Sequence, residues 1–101
     1  MSKYGAVKTT VNGIKFASKR EAKRYGELRL LERACEIKNL ALQVRYPLII
    51  NGVKICTYIA DFTYTENGFE IVEDSKGFRT ATYRFKAKLM KACLGITIRE
   101  T

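Results

Sequence analysis

Asp61, Asp74 and Lys76 are residues whose types and spacing could do chemistry. They lie in the stretch YIADFTYTENGFEIVEDSKGF, from Tyr58 to Phe78. Asn67-Gly68 sits between two β-rich runs, the strongest short-range hairpin signal a sequence offers. If those two residues form the loop, Glu66 pairs with Phe69, and stepping outward puts Asp61 opposite Asp74. Alternation along the strand brings Lys76 to the same face. Directly opposed residues hold their Cβ atoms roughly 4.5–5.5 Å apart, where like charges repel. Something positive belongs between two such acids, and Mg²⁺, which takes one or two carboxylates plus water, fits. Lys76 could hold a phosphate oxygen or help activate a water. A three-residue loop, or a bulge near Asp61, would instead set Glu73 against Asp61. An exposed hairpin with scattered charges is the plain alternative.

Composition narrows the chemistry. The chain has 101 residues, which predicts one domain with a modest core. A formal charge of +9, from 19 Lys and Arg against 10 Asp and Glu, points to a polyanionic partner. Nucleic acid is favoured over membrane, because no apolar run reaches the 18 or so residues of a spanning helix. The start, MSKYGAVKTT, lacks the apolar core of a signal peptide, so a cytoplasmic protein is expected. Cys35, Cys56 and Cys93 form no CxxC pair, and reduced, mostly buried thiols are the simplest account. Histidine is absent, which excludes Ser-His-Asp and Cys-His catalysis and His-based zinc sites. Any catalysis must run on carboxylates, lysine and a metal.

The elements that must position these residues are legible in order. Residues 1–17 hold a second Asn-Gly at 12–13, so a short hairpin or extended arm is predicted. Ser18 and Glu21 have the form of a capping box, opening a helix over about 19–36. Ala22, Tyr25, Leu28, Leu31 and Ala34 make its apolar stripe, and Gly26 inside it hints at close packing. Lys19, Arg20, Lys23 and Arg24 crowd its start, where phosphate could bind. Leu40, Leu42 and Val44 alternate as an extended lead-in, with Gln43 between them making a loop hydrogen bond rather than touching the site. Pro47 confines the next run to a strand start or an edge. Strands over about 46–50, 53–65 and 69–76 follow. Gly77 permits a sharp exit, Thr80 caps a helix over 81–94, and Gly95 ends it. Tyr83, Phe85, Leu89, Ala92 and Cys93 are its expected packing residues. Arg84, Lys88 and Lys91 form a basic face, with Arg79 at the entrance, suited to backbone phosphates. Residues 96–99 are a short strand, reached by a crossover beside the strand bearing Asp74.

An acid on one strand and acid-x-Lys on the next, Ala60-Asp61 with Asp74-Ser75-Lys76, resembles the core of the PD-(D/E)XK nuclease superfamily. Ala60 replaces the proline of that motif's name. The order helix, three antiparallel strands, helix, strand also resembles the restriction-endonuclease-like αβββαβ core, an α/β fold with a mixed sheet flanked by two helices. The resemblance runs from Phe16 to about Arg99 and looks closest to small phage-borne endonucleases, including the Holliday-junction resolvases.

The resemblance implies a Mg²⁺- or Mn²⁺-dependent DNA endonuclease. Asp61, Asp74 and the main-chain carbonyl of Ser75 would hold the metal. Glu21, which follows a Phe-x-Ser segment as in several superfamily members, would complete the coordination or hold a second metal; it could also simply close its capping box. Lys19, Arg20, Lys23, Arg79, Arg84 and Lys88 would contact DNA. A small chain has few residues to read bases, so branched DNA is the expected substrate, and paired cuts in a junction imply a homodimer. A phage-encoded protein would act in the host cytoplasm. A non-catalytic basic nucleic-acid-binding protein, with structural acids, is the alternative, and a small interaction protein with incidental charge is a further one.

Overall fold

The computed structural model describes Thr9–Val11 and residues 13–101. Strands β1 (Thr9–Val11) and β2 (Ile14–Phe16) pair antiparallel, with Gly13 at φ 78° leading into β2. The expected N-terminal hairpin is therefore present, while Asn12 and residues 1–8 of the arm lie outside the described residues.

Helix α1 (Lys19–Arg33) begins where the capping signal put it. Ser18 is extended, and its Oγ accepts from the Glu21 N–H at 3.2 Å. Ala22, Tyr25 and Leu28 are buried, with Leu31 at the margin. The helix stops short of residue 36: Ala34 is its exposed C-cap, and Cys35 turns the chain with φ 62°. Cys35 is consequently exposed, and Cys56 and Cys93 are half-buried, so the expectation of mostly buried thiols fails. A β-carbon at Gly26 would meet nothing within 4 Å, so the packing it hinted at is absent.

The main sheet runs β3 (Lys38–Ile50), β4 (Val53–Glu66), β5 (Phe69–Asp74), β6 (Arg99–Glu100), antiparallel through the first three and parallel at the last. Helix α2 (Ala81–Leu94) lies in the crossover between β5 and β6. This is the expected α/β architecture. The lead-in before Pro47 belongs to β3 itself, and Pro47 is tolerated because β3 is an edge strand. Asn51-Gly52 and Asn67-Gly68 all have positive φ, as two-residue hairpin loops require. The pairs from Glu66–Phe69 to Phe62–Glu73 establish the two-residue register, so the three-residue loop does not form.

Thr80 caps α2, its Oγ1 accepting from the Tyr83 N–H at 3.0 Å, and Gly95 closes it at φ 70°. The buried stripe is Tyr83, Leu89 and Met90, with Ala87 and Cys93 beside it. Phe85, expected to pack, is 54% exposed, and Ala92 is exposed too. Steps of four and three from Tyr83 lead through Ala87 to Met90, and Phe85 falls off that line.

Two hydrophobic clusters hold the fold. Under α1, Phe16, Ala22, Tyr25, Leu28 and Ile37 pack with Phe62 and Tyr64 of β4 and Leu42 of β3. Under α2, Tyr83, Leu89 and Met90 pack with Tyr58 and Ala60 of β4, Leu48 and Tyr46 of β3, and Val72. Tyr58, Ala60, Phe62 and Tyr64 have the same parity along β4 yet serve different clusters, so the changeover falls at Asp61. On β3 it falls between Leu42 and Tyr46, where Gln43 takes the left-handed φ of 52°. Among the described residues, no helix is long and apolar enough to cross a membrane.

Candidate active site

The changeover is where the predicted acids meet. Asp61 stands one step beyond the last regular pair, Phe62–Glu73, so continuing the register brings it to Asp74. Asp61 Oδ2 accepts from the Ser75 N–H at 3.1 Å. Burial, the neighbouring Asp74 carboxyl and the charge of Glu21 together push the Asp61 carboxyl up to about 8. The Ser75 N–H pulls the other way and loses. At neutral pH the pair therefore retains a proton.

Asp74 is fully buried. The Tyr58 hydroxyl donates to its Oδ2. Burial and the adjacent Asp74 raise the Tyr58 phenol, so it stays a donor at neutral pH. Asp74 Oδ1 lies 3.1 Å from Lys76 Nζ as an ion pair, but it has no aligned hydrogen bond. Lys76 Nζ also sits 4.8 Å from the centroid of the Tyr83 ring. The Tyr83 hydroxyl donates to Glu100 at 2.7 Å. The strand end is fastened by the Thr101 N–H donating to the Asp74 carbonyl (3.0 Å) and the Lys76 N–H donating to the Thr101 carbonyl (3.2 Å).

Glu21 reaches the same place from α1 and is 7% exposed. Burial and the charge of Asp74 raise its carboxyl, against the Ala17 N–H and Lys76. Ser18 Oγ accepts from the Glu21 N–H, which is Ser18's half of the capping box, while the Glu21 carboxyl lies within electrostatic reach of Asp74 and Lys76. Gln43 Nε2 donates to Glu21 Oε2 at 3.2 Å, which corrects the expectation that Gln43 stays clear of the site. A polar residue between Leu42 and Val44 was its only signal in the sequence. A cleft of about 420 Å³ walled by Lys15, Phe16 and Ala17 opens onto Glu21, Gln43 and Asp61.

Of the expected DNA contacts, Lys19, Arg20 and Lys23 on α1 and Arg84 and Lys88 on α2 are exposed. Arg79 is exposed as well, but it pairs with Glu100 at 2.5 Å. Arg24 differs from its neighbours. Its Nε and Nη2 donate to Glu73 at 2.6 and 3.0 Å, and its Nη1 to Glu27 at 3.1 Å. Burial alone would raise the Glu73 carboxyl, but bonds from Arg24 and Tyr64 outweigh it and hold the group below its ordinary value. Glu73 thus belongs to the α1 side and Asp74 to the α2 side.

The donor set suits a hard divalent cation. Glu21, Asp61 and Asp74 offer only oxygens, without His or Cys, as Mg²⁺ or Mn²⁺ prefers. Asp74 Oδ1 is a buried acceptor without a hydrogen bond, and Asp61 carries a proton that a cation would displace. Among the described residues, no three such side chains already stand in a closed ligand arrangement.

Neither a curated protein nor a solved structure matches this chain. The DUF1064 family, described as proteins of unknown function, matches residues 1–95, so the chain belongs to that family.

Proposed function

We propose that this protein is a Mg²⁺- or Mn²⁺-dependent DNA endonuclease that hydrolyses phosphodiester bonds in branched DNA as a homodimer, in the manner of a Holliday-junction resolvase. The observation that carries this reading is the convergence of Glu21, Asp61, Asp74 and Lys76 at one changeover in the sheet, beside the exposed cations of α1. Asp61 and Asp74 would hold the cation, with the Ser75 carbonyl as a further ligand and Glu21 completing the set. When bound, the cation neutralises charge developing on the phosphoryl oxygens and lowers the pKa of the attacking water.

The chain's own residues do the rest. Tyr58 fixes Asp74 through one oxygen, leaving the other free of hydrogen bonds. Gln43 holds Glu21. Lys76, poised between Asp74 and the Tyr83 ring, orients the water or neutralises the scissile phosphate. Lys19, Arg20, Lys23, Arg84 and Lys88 contact the DNA backbone.

The test is incubation of purified protein with a labelled four-way junction and a matching linear duplex, with Mg²⁺, Mn²⁺ or EDTA. Symmetric, metal-dependent cuts in the junction alone are expected. Cutting of both substrates would remove the structure selectivity, and salt-sensitive binding without cleavage under any metal would leave a binding protein. Sedimentation showing a strict monomer at working concentrations would remove the resolvase role.

A further inference from the structure

A second cleft, of about 360 Å³, lies between the first turns of α1 and the segment leaving β5. Its walls are Arg20, Lys23, Arg24, Glu27, Ser75 and Thr101. Arg24 and Glu27 are paired with one another, and Arg24 with Glu73. Arg20 and Lys23 are exposed and enter no ion pair among the described residues, so the cleft presents two uncompensated cations. Arg20 lies across the exit from β5, where a β-carbon on Gly77 would stand 3.7 Å from its Nε.

Ser75 supplies an independent observation. It is only 9% exposed, and its hydroxyl has no hydrogen-bond partner. Buried polar groups are nearly always satisfied, so an orphan asks for a partner. Of the other lining side chains, Arg24, Glu27 and Thr101 are already bonded to protein partners, which leaves the donors Arg20 and Lys23, and the partner that would satisfy them together with a hydroxyl is an anionic oxygen. Ser75 is also tied to the acids, since its main-chain N–H is bonded to Asp61.

We infer that this cleft is a phosphate subsite for the nucleic-acid strand, holding a phosphodiester next to the one that lies over the carboxylates. Arg20 and Lys23 supply its charge and Ser75 its hydroxyl donor. The identity of the strand rests on the nuclease reading, whereas the capture of phosphate at this cleft is separately measurable.

The probe is inorganic pyrophosphate, titrated into the full ¹⁵N-labelled chain in EDTA. Saturable shifts centred on the Ser75 and Gly77 amides and the Arg20 Nε–H are expected. Arg20→Gln with Lys23→Gln weakens binding about tenfold or more, and Ser75→Ala about threefold. Lys54→Gln, at the far end of the β3–β4 hairpin, leaves it unchanged. With a short duplex in EDTA, the double variant lowers the slope of log affinity against log salt by about 2. Shifts centred on Arg84 and Lys88, or spread over the surface without saturation, would overturn the subsite. Saturable binding here in a protein that cuts no DNA would sink the nuclease reading and leave the subsite standing. Junction cleavage with no pyrophosphate at this cleft would do the reverse.

Discussion

Asp74 is buried and held by a tyrosine, so its replacement must separate chemistry from packing. Asp74→Asn keeps the shape and an acceptor for Tyr58 while removing the charge. Junction cleavage is expected to fall by about 10²–10³ or more, with binding in EDTA changing by less than about threefold. Lys76→Ala should behave alike. An Asp74→Asn protein that cuts at the wild-type rate would remove Asp74 from the site. Gln43 poses the opposite case. It occupies a left-handed conformation that costs about 1–2 kcal/mol for a residue with a β-carbon. Gln43→Gly should therefore raise stability by about 0.5–1 kcal/mol in urea unfolding, while cleavage drops about tenfold as Glu21 loses its donor. A loss of both stability and rate would mean that Gln43 only supports the strand. Asp61, Asp74 and Lys76 were legible because residue types and a two-residue turn fix their meeting. Gln43 was not, because no period-two reading of Leu42, Gln43 and Val44 foretells a left-handed residue inside a strand.

Turns and caps carried most of the information at the level of elements. Asn51-Gly52, Asn67-Gly68, Ser18, Thr80 and Gly95 each have a conformational demand that few residues meet, and each stands where the sequence put it. Side-chain burial on α2 was less legible. Phe85 is the larger apolar residue, but Met90 lies on the line that faces the sheet, and position outweighs size. Pro47 allows either a strand start or an edge, and the structure takes the edge, so the lead-in and the run after Pro47 are one strand, β3. An edge strand tolerates the proline because the missing N–H can face away from the ladder. Gly26 is the element-level test. With open space around it, Gly26→Ala should stabilise α1 by about 0.5–1 kcal/mol, raising Tm by roughly 2–8 °C. A drop in Tm would mean that the helix surface there meets something.

For the molecule as a whole, the site works against the fold. Asp61 binds its proton more tightly folded than unfolded, so its contribution to stability is fully present below its unfolded value of 3.8 and is lost as pH rises toward about 8. Glu21 is shifted in the same direction. Glu73 is shifted the other way, and its contribution is present above its unfolded value of 4.5 and lost as pH falls. In EDTA, Tm should therefore decline between about pH 5 and about pH 8.5. Mg²⁺ should restore it, releasing about one proton per site near neutrality, measurable by calorimetry in buffers of different ionisation enthalpy. Asp61→Asn should flatten the decline. A Tm that rises with pH over this range, unaffected by Mg²⁺, would contradict the assignment. The two hydrophobic clusters meet at the same seam, with Glu21 hanging from one and the Tyr58–Asp74 and Lys76–Tyr83 contacts from the other. Over generations, a lineage moving to a colder or hotter niche could loosen or tighten one half of the site by substitutions under its own helix, leaving the other half as inherited.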